Sequence, residues 1–393
     1  MIVLAAVSGF VPTHASVANA PGANLQVSLV TYGPGETYWE RFGHDAIEVQ
    51  DTTSGEAINF NYGLFDFGEK DFFVNFARGR MHYMMGSDPT SLESRDYIAS
   101  GRSITRQHLA FTAGQAAALR DFLLWNVRPE NAGYAYDYYT DNCTTRVRDA
   151  LDKALGGQLH TQLSARPGDM TYRGQTARLM RAQPWLMLGL DLGLSVYADQ
   201  PLNAWQESFL PGELQAALQS VQIADAAGHL RPLVSNVQVV APNRLDEPPV
   251  TPPDLRLPLA LAGLAIAALL LLTSLVWQPG YLILGSLYLL AAGLVGVTLL
   301  ALWTLTTHHA AWANANVLLF SPLAWLMLPS LWRKRRGLRP SRFIDGVIVL
   351  QLLALLAASL LHLLPGIVQQ NQPWLLFALP VWFAISWTMR RSR

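Results

Sequence analysis

From Leu257 onward the chain carries apolar runs that each approach the ~20 residues a helix needs to cross a bilayer. Five can be marked: Leu257 to Trp277, Tyr281 to Thr306, Val317 to Trp332, Ile344 to Leu364 and Trp374 to Met389. The third and fifth lie near the short limit of ~17 residues. A soluble helix is apolar along one stripe only, whereas these runs are apolar all round. They therefore predict an all-α, five-helix transmembrane domain over residues 257–389.

Charge sets the direction of those helices. Of the 28 basic and 28 acidic residues, nine basic ones and only Asp345 lie beyond Pro258. The basic ones sit in RKRRGLRPSR after the third run and in the tail 390–393, RRSR. Cytoplasmic loops carry the excess of Lys and Arg, so both clusters are expected inside, and two intervening helices make the two assignments agree. Counting back, everything before Leu257 is exported. That part is mildly acidic, which excludes a nucleic-acid binder with a basic stripe. One cysteine excludes a disulfide-stapled scaffold.

Residues 1–20 read as a signal peptide: the apolar stretch IVLAAVSGFV is followed by small residues at Ala15, Ala18 and Ala20, although no basic residue precedes it. Residues 240–256, with Pro242, Pro248, Pro249, Pro252 and Pro253, read as a stiff extended tether. Between them, residues 21–239 form the exported domain.

Within that domain Leu25 to Tyr32 alternates as a strand. His44 to Val49 and Ile58 to Tyr62 read as a hairpin. Ile47 and Val49 share one face, and His44, Ala46 and Glu48 the other, with Asn59 and Asn61 on the polar side of the returning strand. Thr112 to Trp125 has helical spacing. So does CTTRVRDALDKAL, where Val147, Ala150, Leu151, Ala154 and Leu155 recur on one face and Asp141 or Asn142 is a natural N-cap. Cys143 then falls in the first turn, where backbone N–H groups and the helix dipole stabilise a thiolate. An unpaired thiol in an oxidising compartment is a liability unless it has a task. A structural cysteine packing a helix end is the plainer alternative. A histidine on a strand edge favours the nucleophile, because a thiolate needs a base and the base needs a polar orienter.

The stretches GPGETYWERFGHDAIEV, FNYGLFDFGEKDFFVNFARGRMHYMM, NVRPENAGYAYDYYTDNCTTRVRDAL and TYRGQTARLMRAQPWLMLGLDLGL resemble the exported domain of the Lnb-type bacterial lipoprotein N-acyltransferases, and the likeness extends through FLPGEL and the apolar tail. The resemblance implies an α+β exported domain with a circularly permuted papain-like fold, similar to lecithin:retinol acyltransferase, in which His precedes Cys. It implies Cys143 as nucleophile and His44 as general base. Strand alternation makes Asn61 the candidate orienter, with Asn59 behind it. Asn142 and the backbone N–H groups at the helix start are candidates for an oxyanion hole. Arg146, one turn on, is a candidate for a lipid phosphate, against the plainer reading of an exposed ion pair. Tyr62 and Tyr139 read as core or groove aromatics, and Tyr139 is kept with Arg146 among the substrate-binding candidates. His308 and His309, with Asn314 and Asn316, occupy the loop between the second and third runs on the outer face. They too are substrate-binding candidates, against the usual role of interfacial polar residues. No metal site is expected, since adjacent histidines make a poor one, and no cofactor.

The implied reaction moves an acyl chain from a membrane phospholipid through a Cys thioester to the amine of a diacylated lipoprotein, at the bacterial inner membrane, with the catalytic domain in the periplasm and the C-terminus in the cytoplasm. The partners are those two substrates and the bilayer, with no nucleic acid. Two competing classes are a papain-like cell-wall peptide hydrolase and a non-enzymatic envelope adaptor.

Overall fold

The computed structural model describes residues 20–224, 228–364, 366 and 368–391; the expected signal segment lies almost entirely outside them. The exported part is built on a seven-stranded sheet, every pairing antiparallel. Its strands are β1 (Leu25–Tyr32), β2 (His44–Asp51), β3 (Ala57–Leu64), β4 (Met81–Pro89), β5 (Ile104–Leu109), β6 (Gly133–Tyr136) and β7 (Val234–Ala241), in the spatial order β6-β4-β3-β2-β1-β5-β7. The expected strand at Leu25 and the hairpin are present. The hairpin register pairs Ala46 with Asn61 and Glu48 with Asn59, which puts His44, Asn59 and Asn61 on one side of the sheet.

Helices cover the sheet on both faces. α1 (Phe72–Arg78) and α2 (Thr90–Ala99) flank β4; α3 (Ala113–Asn126) and α4 (Cys143–Ala154) pack on the main core with Val27, Ile47, Phe60, Leu119, Leu123, Val147 and Leu151. The face carrying His44 and Glu48, expected to be the polar one, is buried as well. Ala46 joins Val30, Tyr32 and Ile104 in a second core. Glu48, 1% exposed, is neutralised by Arg106 at 2.8 Å. Alternation marks which residues share a face, but α2 then covers the face that polarity suggested was open.

Beyond the sheet, α5 (Tyr172–Leu179) and the apolar α6 (Pro184–Gly193) lead toward the spanning helices. Of the residues read as a tether, Val240 and Ala241 end β7 as an edge strand, and the following segment lies along the domain. Arg244 N donates to Gly101 O at 2.9 Å, and the Arg178 guanidinium donates to Pro249 O at 3.4 Å.

The first two apolar runs are α7 (Arg256–Val276) and α8 (Gln278–Leu305), joined through Trp277 alone. The fourth and fifth are α9 (Arg342–Leu361) and α10 (Gln372–Arg390). The third is not the regular helix expected. It is a succession of 3-10 turns (Ala315–Leu318 and Pro322–Met327) ending in the six-residue α-helix Leu328–Arg333. Pro322 and Pro329 each remove a backbone donor, so an α-helical ladder cannot run through both. This segment lies against α8 at Gly293, which faces the Trp325 ring, and at Gly296, where a Cβ would come 2.5 Å from Phe320 O. Among the described residues, four stretches meet the length and apolarity needed to span: Arg256–Val276, Gln278–Leu305, His309–Arg336 and Arg342–Leu361. α10, interrupted by Pro380, buries Ala378, Val381, Trp382 and Ile385 against its neighbours.

Candidate active site

α4 packs on β2 and β3 and starts beside the place where β2 begins and β3 ends. Its N-terminus is a capping box. Asn142 Oδ1 accepts from Thr145 N at 2.9 Å, and Asn142 N donates to Thr145 Oγ1 at 2.7 Å. Cys143 is thereby fixed as the first helical residue, half-buried. Its other wall is backbone. β3 shifts register between Asn61 and Leu64, and Gly63 adopts φ +90°, so close that a Cβ there would lie 3.2 Å from the Cys143 Cβ. Only glycine meets both demands.

His44, also half-buried, is held from the far side. Its Nε2 lies 3.0 Å from Asn61 Oδ1. Asn61 Nδ2 donates to Glu93 Oε2 at 3.0 Å, and Asn59 Nδ2 donates to the same oxygen at 2.7 Å. Thr90 Oγ1 donates to Asn59 Oδ1 at 2.8 Å. A carboxylate only accepts, so Glu93 turns the Asn61 amide group toward itself and its carbonyl toward the ring. The Nε2 nitrogen must then carry a proton, which leaves Nδ1 as the basic nitrogen for the thiol. Above the ring, Tyr97 lies nearly parallel at 6.4 Å and is itself stacked on Tyr32 at 3.7 Å.

The electrostatics favour a charged pair. Burial opposes the imidazolium, but the Cys143 charge and hydrogen bond, the Glu93 charge and the Asn61 bond outweigh it and raise the His44 pKa to about 9. Burial likewise opposes the thiolate, and the His44 charge and hydrogen bond overcome it, lowering the thiol. Asp45, next in the chain, is fully buried. Thr31 Oγ1 donates to one of its oxygens at 2.7 Å, the other has no partner among the described residues, and burial pushes its pKa up to about 7.

The remaining candidates are placed as follows. Asn142 spends both amide hydrogens on Tyr138 O (2.9 Å) and Phe209 O (3.0 Å), so the donors left for an oxyanion are the N–H groups of Cys143 and Thr144, which have no acceptor within the helix. Arg146 is paired with Asp141, its Nη2 at 2.8 Å from Oδ2, and lies over the Tyr134 ring at 4.3 Å. Tyr139 is buried against Tyr172 and Phe209, its hydroxyl 2.9 Å from Thr176 Oγ1. His308 stacks on Tyr138 and places Nε2 3.1 Å from Phe76 O, while His309 packs on Trp312. Asn314 and Asn316 turn to the carbonyl oxygens of Leu192, Gly193 and Leu194. The geometry brings together Cys143, His44 and Asn61; the others sit in packing or in the seam between domains.

Sequence reasoning missed Glu93, Tyr97 and Asp45. Thr90-Ser-Leu-Glu93 has the spacing of a capping box, but Pro89 stands at the N-cap, and both side chains turn instead to the asparagines of β3.

Residues 14–178 match the family model described as the Lnb N-terminal periplasmic domain, and residues 251–389 match the model described as the Lnb transmembrane domain. No curated protein and no solved structure matches the chain.

Proposed function

Because the chain belongs to the Lnb family, with that family's periplasmic and transmembrane domains, we propose that it is a membrane-bound cysteine acyltransferase acting on lipoproteins. The observation that carries this reading is the Cys143, His44 and Asn61 arrangement at a helix N-terminus, in a domain fastened to the outer ends of spanning helices. The permuted papain-like architecture is part of the same proposal, as is the placement in the inner membrane with both basic clusters in the cytoplasm.

The Cys143 thiolate attacks the carbonyl carbon of a phospholipid acyl ester. The oxyanion that forms is met by the N–H groups of Cys143 and Thr144 and by the positive end of α4. As the C–O bond breaks, His44 gives its proton to the leaving alkoxide, and a lysophospholipid departs from the thioester. The α-amine of a diacylglyceryl-cysteine then attacks the thioester carbonyl. The C–S bond breaks, the thiolate returns, and His44 takes a proton from the nitrogen. Asn61 and Glu93 keep Nδ1 facing sulfur throughout. Fixing the domain at the bilayer fits two membrane-embedded substrates, whereas a hydrolase of cell-wall peptides gains little from it.

The test is expression in a bacterium lacking its own lipoprotein N-acyltransferase, with mass spectrometry of lipoprotein N-termini. Triacylated N-termini are expected. Cys143→Ser and His44→Ala should each lower their yield by orders of magnitude, and the double variant should be little worse than either single one, since the two act as a unit. Unmodified amines from a well-inserted wild-type chain would overturn the reading.

A further inference from the structure

Catalysis leaves unused a run of exposed apolar side chains beside the site. Phe73 is 72% exposed, Phe67 54%, and Trp39 and Val74 48% each. They are contiguous: Trp39 lies 6.4 Å from Phe67, Phe67 5.2 Å from Phe72, and Phe72 5.4 Å from Phe73. Single exposed apolar residues are ordinary, but a joined aromatic patch needs something to cover it.

Its position says what. α1 is fastened to the outer end of α8: Thr307 N donates to Arg78 O at 2.9 Å, Thr307 Oγ1 to Gly79 O at 2.9 Å, and the His308 ring meets Phe76 O. Gly79, at φ +75°, allows this approach; a Cβ there would lie 2.8 Å from Thr307 Oγ1. Just below, Trp303 and Leu305 of the span are exposed, Leu305 at 73%. The patch is therefore continuous with the lipid-facing surface of α8. Arg78 and Arg80 are exposed at its span-facing end, suited to headgroup phosphates, while Asp66, Glu69, Lys70 and Asp71, acidic on balance, are exposed at the other end. The patch also reaches the nucleophile. Leu64 and Phe65 follow Gly63, whose backbone abuts Cys143, and Phe65 packs on Phe67 and Phe72.

We propose that α1 with Trp39 and Phe67 forms a lip immersed in the outer leaflet, covered by phospholipid acyl chains, along which a chain passes from the bilayer to Cys143. The immersion stands by itself; the passage rests on the acyl-transfer reading.

The full-length chain is placed in vesicles of phosphatidylethanolamine and phosphatidylglycerol. In a Cys143→Ala background, a nitroxide is attached at Phe73→Cys, with Leu305→Cys as lipid-facing control and Ser54→Cys, on the exposed hairpin turn, as aqueous control. Relaxation by oxygen and by a water-soluble nickel chelate reports immersion. The label at 73 is expected to match that at 305. A match to 54 overturns the lip, as does spin-spin broadening, which would mean that a second copy covers the patch. In the chain with Cys143 intact, Phe73→Asp with Val74→Asp is expected to lower acyl transfer at least tenfold while alkylation of Cys143 by iodoacetamide is unchanged. Unaltered transfer overturns the passage. A wild-type chain without transfer but with an immersed label would sink the acyltransferase and leave the lip standing.

Discussion

Three separate features converge on the Cys143 sulfur: a helix start, an imidazole and a close backbone wall at Gly63. The opposed pKa shifts fix a pH window. The thiol is charged above its lowered pKa, and His44 stays charged up to about 9. Acyl transfer should fall as pH drops through the first value, where the thiolate is lost, and as pH rises through the second, where the general acid is lost. The sign for stability follows. With its folded pKa raised, His44 contributes stability that is full below ~6.5, its ordinary value, and is lost as pH rises through about 9. Glu93→Gln removes a charge that supports the imidazolium and lets the Asn61 amide turn over. The upper limb of the pH–rate profile should move to lower pH, and the rate should fall by about tenfold or more as the enforced tautomer is lost. Asn61→Ala should act alike. A purely structural Glu93 would leave the limb where it was. Of this site, Cys143, His44 and Asn61 were legible in the sequence, because a capped helix and an alternating hairpin are local patterns. Glu93 was not, because it sits on the helix α2 and its partners on the strand β3, more than thirty positions away.

Between the elements, the decisive contacts are buried and polar. Arg173 on α5 joins Asp199 at 2.6 Å and Asp191 at 3.1 Å, and Trp374 Nε1 at the start of α10 donates to Asp191 Oδ2 at 2.7 Å. Gln370 N donates to Asp199 Oδ2 at 2.9 Å. Asn314 Nδ2 faces the carbonyl oxygens at the end of α6, and Gln369 Nε2 donates to Asn314 Oδ1 at 2.8 Å. Leu188 and Leu192 of α6 pack on the core of the spanning bundle. Buried groups of this kind are costly when left single, so the seam holds as a unit. Asn314→Ala should cost about 1–3 kcal/mol by stranding carbonyl oxygens. A lowered unfolding temperature in detergent is expected, with iodoacetamide reactivity of Cys143 retained. An unchanged unfolding temperature would mean that the seam does not hold the domains together. Residues read as interfacial polar groups and as a stiff extended tether thus serve as fasteners, and no single-segment pattern marks a hydrogen bond between residues more than a hundred positions apart.

For the molecule as a whole, the basic clusters predict the orientation. A reporter active only outside the inner membrane should work when fused after Ala241 and fail after Arg339; the opposite pattern would overturn the export of the domain. The sequence alone determined that the chain has an exported α+β part and an apolar helical part, where the helix bearing Cys143 begins, and which face of the hairpin holds His44 and Asn61. Each of these depends on periodicity, capping or charge within a short stretch, and the local backbone obeys them. Tertiary structure decided that both faces of the sheet are buried, that the third apolar run breaks at its prolines while packing on the glycines of α8, that Gly63 abuts Cys143, and that Glu93 orients the asparagines. Those are juxtapositions of segments far apart in the chain, set by how helices and sheet fill space together, and no local pattern carries them.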